Sequence, residues 1–166
     1  LVQAALLTGA RYAELTNLEV RDFDTGAATL WLRETKAGVG RPVYLDEEGV
    51  ELFKQQTAGR PQSERMFLKS TGEPWGAAHQ ARPLREARVA AKVDHVSFHD
   101  LRRTYGARLA LKGVPMAIIA EALGHADERI TRKHYAHLAP SHVADAVRAA
   151  VAGMQIVQKS NVIAIG

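Results

Sequence analysis

The spacing of apolar positions changes period several times along the chain, and each change marks an element. Leu1, Ala4, Ala5 and Leu7 make one helical face, and Gly9 stands where a left-handed cap would end that helix. Arg11 opens a second short helix whose Leu15 and Leu18 face a core, with Arg11 and Glu14 together on an adjacent face. Ala28–Thr35 and Arg41–Leu45 then alternate as strands. The glycine-containing turn between them makes a β-hairpin with Lys36 near its tip, and Asp22, Asp24, Thr25 and Gly26 supply the turn before it. Asp46 reads as the N-cap of a helix carrying Val50, Leu52 and Phe53, which ends near Gly59-Arg60-Pro61.

Beyond that hairpin the chain reads as mainly helical. Met66, Phe67 and Leu68 form a short buried run, and a helix from about Ala77 to Val93 follows with an interruption at Pro83. Ser97 caps a helix through His99, Arg102, Tyr105, Leu109 and Leu111 that Gly113 ends. Pro115 takes the first position of the next helix, which Gly124 terminates. One more helix carries Tyr135 near its end, and a last amphipathic helix turns Val143, Val147, Ala150 and Val151 inward. The tail after Gly153 ends in Val162, Ile163 and Ile165, which reads as a strand or a short docking segment. The expected fold class is α+β, mainly helical with one small antiparallel sheet.

Composition narrows the class without deciding it. The 166 residues suit a single domain, 22 Lys and Arg against 18 Asp and Glu leave a net charge of +4, and that mild excess suits a phosphate-bearing partner. The absence of cysteine excludes a disulfide scaffold, a thiolate metal site and a cysteine nucleophile. No apolar run is long enough to span a membrane and no signal-peptide pattern stands out, so the expected setting is cytoplasmic, with no membrane partner. The chain starts at Leu1 inside a helical pattern, as a fragment with its upstream part missing would.

The stretch His99–Tyr135 concentrates the candidate chemistry. His99 and Arg102 lie one helical turn apart, His125 follows a Leu-Gly step, and Tyr135 has an exposed look behind Arg132, Lys133 and His134. Arginines and histidines are the groups that hold a phosphate, and a tyrosine can attack one. Upstream, the Arg11–Glu14 pair reads either as a surface ion pair of little worth or as a carboxylate aiming an arginine fork at a phosphate. Arg103 is adjacent to Arg102 but about 100° round the helix, so only one of the two can face the same ligand. Tyr12 and Tyr105 sit on apolar faces and compete poorly as nucleophiles.

Taken in order, four stretches resemble the tyrosine recombinases, the phage integrase family. They are Thr8-Gly9-Ala10-Arg11-Tyr12-Ala13-Glu14-Leu15; Thr35-Lys36-Ala37-Gly38 before Arg41-Pro42-Val43; His99-Asp100-Leu101-Arg102-Arg103-Thr104; and Leu123-Gly124-His125 with Tyr135-Ala136-His137-Leu138 behind it. The resemblance implies a catalytic domain over 1–166, without the family's N-terminal DNA-clamping domain. It implies Tyr135 as nucleophile, forming a 3′-phosphotyrosine, with Arg11, Arg102 and His125 on the phosphate. Lys36 would be general acid, His99 would accept the phenol proton or position the phosphate, and Glu14 would support Arg11. Arg41, Arg132 and Lys133 would meet DNA.

The further implications concern partners. Double-stranded DNA is the expected partner, no cofactor or metal is required, the full-length protein would act as a homotetramer on DNA, and the fragment alone would be monomeric. In one respect the pattern departs, since Tyr135 lies one residue farther from His125 than is common in the family. A rival from another class remains: Val114–Tyr135 also reads as a helix-turn-helix of a non-catalytic DNA-binding regulator, with Arg129, Arg132 and Lys133 on phosphates or bases. A zinc reading from His125, His134, His137 and His142 lacks cysteines or a placed acid and is disfavoured.

Overall fold

A computed structural model describes residues 1–33, 40–139 and 143–152. In chain order the elements are α1 (Val2–Thr8), α2 (Tyr12–Asn17), β1 (Phe23–Asp24), β2 (Thr29–Leu32), β3 (Arg41–Tyr44), α3 (Glu47–Thr57), α4 (Ala81–Ala91), α5 (Phe98–Leu111), α6 (Met116–Leu123), α7 (Glu128–Tyr135) and α8 (Val143–Val151). The helices dominate, and the strands form one antiparallel sheet in the order β1-β2-β3, with Leu30 opposite Val43 and Leu32 opposite Arg41. This is the α+β class expected. No helix among the described residues is long and apolar enough to cross a membrane.

Local chemistry sets the helix ends. Asp46 accepts from the Gly49 amide at 2.9 Å, and Ser97 and Asp100 close a capping box at the start of α5. Gly9 (φ 62°) and Gly124 (φ 63°) end α1 and α6 in the left-handed region, and each is hemmed in besides. A Cβ on Gly9 would meet Tyr105 at 2.4 Å, and one on Gly124 would meet Arg41 at 2.9 Å.

Two apolar clusters result. The larger gathers Ala4, Leu15, Leu30, Phe53, Met66 and Leu101 beneath the sheet, while the smaller joins Ala110, Ile119, Leu123 and Tyr135 between α5, α6 and α7. Helix α5 belongs to both, through Leu101 on one side and Ala110 on the other.

Four expectations need correction. The segment before the hairpin keeps its turn at Thr25 and Gly26, but ahead of it Phe23–Asp24 contributes a third strand: Phe23 pairs with Leu30 in the sheet, and its ring packs on Phe53 at 5.8 Å. Pro83 does not interrupt a helix. Helix α4 starts at Ala81, so Pro83 falls in the first turn, where its missing N–H has no intrahelical bond to make. Pro115 is the N-cap of α6 and not its first residue. In α8, Val147, Ala150 and Val151 are exposed and not inward, with Val147 55% accessible. Lys36 and the tail after Gly153 lie outside the described residues.

The two kinds of glycine strain can be separated by measurement. Gly9→Ala should cost about 2–4 kcal/mol, since it combines a left-handed backbone with a collision against Tyr105. Gly72→Ala, at φ 81° but with nothing within 4 Å of its Cβ, should cost only about 1 kcal/mol. Urea denaturation of both variants checks the ordering.

Candidate phosphate-binding site

The site forms where the two clusters meet, at the carboxyl end of α6. The last carbonyls of a helix lack internal partners and carry partial negative charge, so cations gather there. Here three arginines divide them. Arg41 Nε donates to the Ala122 carbonyl at 3.1 Å, one terminal amine of Arg102 donates to Leu123, and Arg11 reaches Gly124 at 3.4 Å. The other terminal amine of Arg102 donates to the Gly9 carbonyl at 2.8 Å, where α1 ends. Arg102 thus pins the ends of two helices, one from each cluster, and is only 3% exposed.

Three guanidiniums this close repel one another, and Glu14 offsets part of that repulsion. Its carboxylate accepts from Arg11 at 2.8 Å, from both terminal amines of Arg41 at 2.9 and 3.1 Å, and from the Arg11 amide at 2.7 Å. Burial alone would raise the Glu14 pKa, but the hydrogen bonds and charges of Arg41 and Arg11 outweigh it and hold the carboxyl below its ordinary range. Glu14 is 5% exposed, so its pairing with Arg11 is no surface ion pair. Arg102 is brought down to about 10 by burial and then by the charges of Arg11 and Arg41, and so stays protonated at neutral pH.

His125 follows Gly124 directly. Its Nδ1 lies 2.8 Å from the Thr131 hydroxyl, and Thr131 is fully buried on α7. Burial, then Arg102 and Arg11, lower its pKa to about 4. The ring is therefore neutral at pH 7. If Nδ1 accepts the Thr131 proton, Nε2 carries the hydrogen and is free to donate it.

Tyr135, expected to be exposed, is buried at 5%. Its ring seats on Gly106, whose missing Cβ would stand 2.6 Å from Cζ and 2.8 Å from the hydroxyl. Gly106 lies one turn beyond Arg102 on α5, so the phenol and the pinned guanidinium share one helix face. Burial raises the Tyr135 pKa, while Arg102 and Arg103 pull it down; the net direction is upward.

His99 is exposed and lines a cleft of about 680 Å³ with Arg11 and Arg102. Arg11, His99, Arg102, His125 and Tyr135 are thus brought together, and Lys36 lies outside the described residues. Arg102 turns into the site while Arg103 is exposed on the neighbouring face.

Arg41, expected on a DNA backbone, is instead turned inward, because Glu14 and the Ala122 carbonyl take its donors and leave its side chain 14% exposed. Arg132 and Lys133 are exposed on α7, Arg132 paired with Glu128 at 2.6 Å. Helices α6 and α7 do form a helix-turn-helix pair, but Thr131 and Tyr135 point inward from the second helix and Arg129 pairs with Asp127. Two residues, Gly106 and Thr131, have importance that motif spacing does not announce, and the inward role of Arg41 is a third feature it does not show. A glycine inside an otherwise good helix costs stability, and that alone was a sign of a close approach at Gly106.

Comparison with known proteins identifies the family and the shared fold. The family model described as the phage integrase family matches residues 1–142. The integrase of Salmonella phage P22 is 28% identical over 158 residues, covering 89% of this chain and 41% of that protein. The chain therefore spans about two-fifths of that relative's length. Among solved structures, the catalytic domain of bacteriophage HP1 integrase superposes with a TM-score of 0.70 at 23% identity, over 95% of this chain and 83% of that one. The Tn1549 transposon integrase in complex with circular intermediate DNA gives 0.71 at 22% identity, over 91% and 58%. Both show that the fold is shared.

The two low-pH responses of the site should separate. With its pKa lowered in the folded state, His125 contributes stability that is complete above its ordinary 6.5 and is lost as pH falls toward about 4. Glu14, also lowered, contributes stability that is complete above the ordinary glutamate range and is lost only below it. Denaturant midpoints measured from pH 7 to pH 3 should show His125→Gln removing the first loss and Glu14→Gln the second. At neutral pH, Glu14→Gln should cost about 2–4 kcal/mol, because it strips a buried charge from two arginines.

Proposed function

Because residues 1–142 match its model, the chain belongs to the phage integrase family, and from that premise we propose that it is the catalytic domain of a site-specific tyrosine recombinase acting on double-stranded DNA. The observation that supports this most is the convergence of Arg11, Arg102, His125 and Tyr135 on the end of α6. A scissile phosphate set between the two arginines would have its non-bridging oxygens neutralised as charge builds in the transition state. Arg102 spends two of its five N–H donors on carbonyls, which leaves three for a ligand. His125, neutral and braced by Thr131, would donate from Nε2 to the same oxygens.

The reaction is a transesterification. The phenol oxygen of Tyr135 bonds to phosphorus, the bond from phosphorus to the 5′ oxygen breaks, and the enzyme is left joined to the 3′ end. The phenol proton passes to His99 and the 5′ alkoxide takes one from Lys36, roles these two positions carry by resemblance to the family. Attack by the free 5′ hydroxyl of a second strand reverses the bond changes and restores a phosphodiester. Positive charge and positioning supply the catalysis, so no cofactor enters this scheme. Tyr135 begins buried with a raised pKa, so a docked phosphate and the arginine charges around it must favour the phenolate when attack occurs.

For the whole protein we propose a homotetramer on two DNA sites in the cytoplasm, with the tail after Gly153 docking on a neighbouring protomer and this domain alone monomeric. Arg132 and Lys133 would approach DNA phosphates from the exposed side of α7. The regulator reading is not favoured, since it uses neither the buried arginine cluster nor Tyr135.

The test needs no knowledge of the target. A library of nicked duplexes with randomised sequence is incubated with the protein, and complexes that survive boiling in detergent are recovered. Wild type should yield a covalent adduct, Tyr135→Phe none, and Arg102→Gln at least about 100-fold less, as loss of one oxyanion-stabilising group usually costs. An adduct that persists in Tyr135→Phe would overturn the assignment of the nucleophile, and reversible binding with no adduct would favour the regulator.

A further inference from the structure

The cleft that Arg11, His99 and Arg102 line does not stop at them. Arg85 and Arg88 of α4 and the loop residue His95 line it too, and among the described residues no carboxylate does. Helix α4 divides its charges by face. Arg82 pairs with Glu86 at 2.7 Å on the solvent side, while Arg85 and Arg88, one turn apart, face the cleft. Arg88 is half-buried, and its Nε is the one buried side-chain nitrogen or oxygen that lacks a hydrogen-bond partner among the described residues. A buried donor left without an acceptor costs stability unless a ligand supplies one. None of α4's own residues is buried, so packing does not explain why the helix holds an arginine there.

We propose that Arg88, with Arg85 and His95, forms a second phosphate subsite that holds a phosphate flanking the scissile one on the cleaved DNA strand. This rests on the recombinase reading and extends it along the strand. A cleft lined by Arg11 and Arg102 and also by Arg85 and Arg88 offers two pairs of fork-shaped donors, which suits successive phosphates of one backbone. Leu84, Val96 and Phe98 give the same cleft an apolar lining, which suits the sugar that links two phosphates. Arg88 is a positioning residue in this scheme: it sets the register of the strand and leaves the attack on phosphorus to the site that Arg11 and Arg102 help form.

Binding of the protein to a fixed 30-base-pair duplex, followed by fluorescence anisotropy over a range of salt, tests this. Arg88→Ala should lower affinity about threefold to tenfold and reduce the slope of log K against log salt by about one, the change expected for one lost phosphate contact. Arg88→Lys should restore the slope, because it restores the charge. Thermal melts of both variants should match wild type, given how exposed α4 is. An unchanged slope in Arg88→Ala overturns the subsite, and so does a reduced slope that Arg88→Lys fails to restore. A parallel titration with inorganic phosphate, read at the Arg88 Nε–H signal by NMR, separates the sources. Tight saturation by free phosphate with an unchanged DNA slope makes this a free-anion site and overturns the assignment to DNA. The covalent-adduct assay keeps the two readings apart. Normal adduct with an unchanged slope retires only the subsite, while no adduct from wild type retires the recombinase reading.

Discussion

The structure depends on where three guanidiniums find acceptors without water. Arg102 is almost wholly buried, and a buried cation is tolerable only if its donors are met. Two short helices meet two of them by ending at the same place from opposite clusters, so the carbonyls that helices leave unpaired become the arginine's partners. The pairing binds each side to the other. Without the arginine the two helix ends would have unmet acceptors, and without those ends the arginine would be a buried, unmet charge. The same economy explains the glycines at both caps, which turn the chain away sharply enough to leave the carbonyls facing inward and leave room for Tyr105 and Arg41 to pass.

Glu14 makes the cluster electrically possible. One carboxylate serves Arg11 and Arg41 together, and it reaches Arg102 through space as a favourable charge. The cluster keeps a net positive charge, which is what a phosphate site needs. Its two arginines on the cleft differ in kind. Arg102 is rigid, shielded and committed at one edge; Arg11 is half-exposed and braced by a single carboxylate.

Much of this was legible because it is local. Gly9, Asp46, Ser97 and Gly124 announce helix ends through chemistry that acts within a turn, and the structure puts the ends there or within a residue. The grouping of Arg11, His99, Arg102, His125 and Tyr135 was legible from motif order. Orientation was not, because it is decided by distant residues. Arg41 sits on a strand whose alternation says nothing of Glu14, 27 positions away. Tyr135 follows three polar residues and looks exposed until Gly106, on another helix, provides a place for its ring. Val147 and Val151 have the spacing of a packed face, yet spacing cannot say whether a partner surface exists. Phe23 and Asp24 form too short a strand to alternate, and only pairing with β2 reveals them.

The seat on Gly106 has a consequence for how Tyr135 is aimed. Tyr135 stands ten residues after His125, and its ring finds a landing place on Gly106 that this connection does not itself supply. The ring is seated on Gly106, one turn from Arg102 on the same helix, so the spacing between the Tyr135 ring and the Arg102 guanidinium is set along a single rigid rod. The segment between His125 and α7 is a tether moored beyond its end at two places, by Thr131 on His125 and by the Tyr135 ring on Gly106. These two moorings hold α7 in place, so the short connection carries the chain between fixed points and need not itself aim the ring.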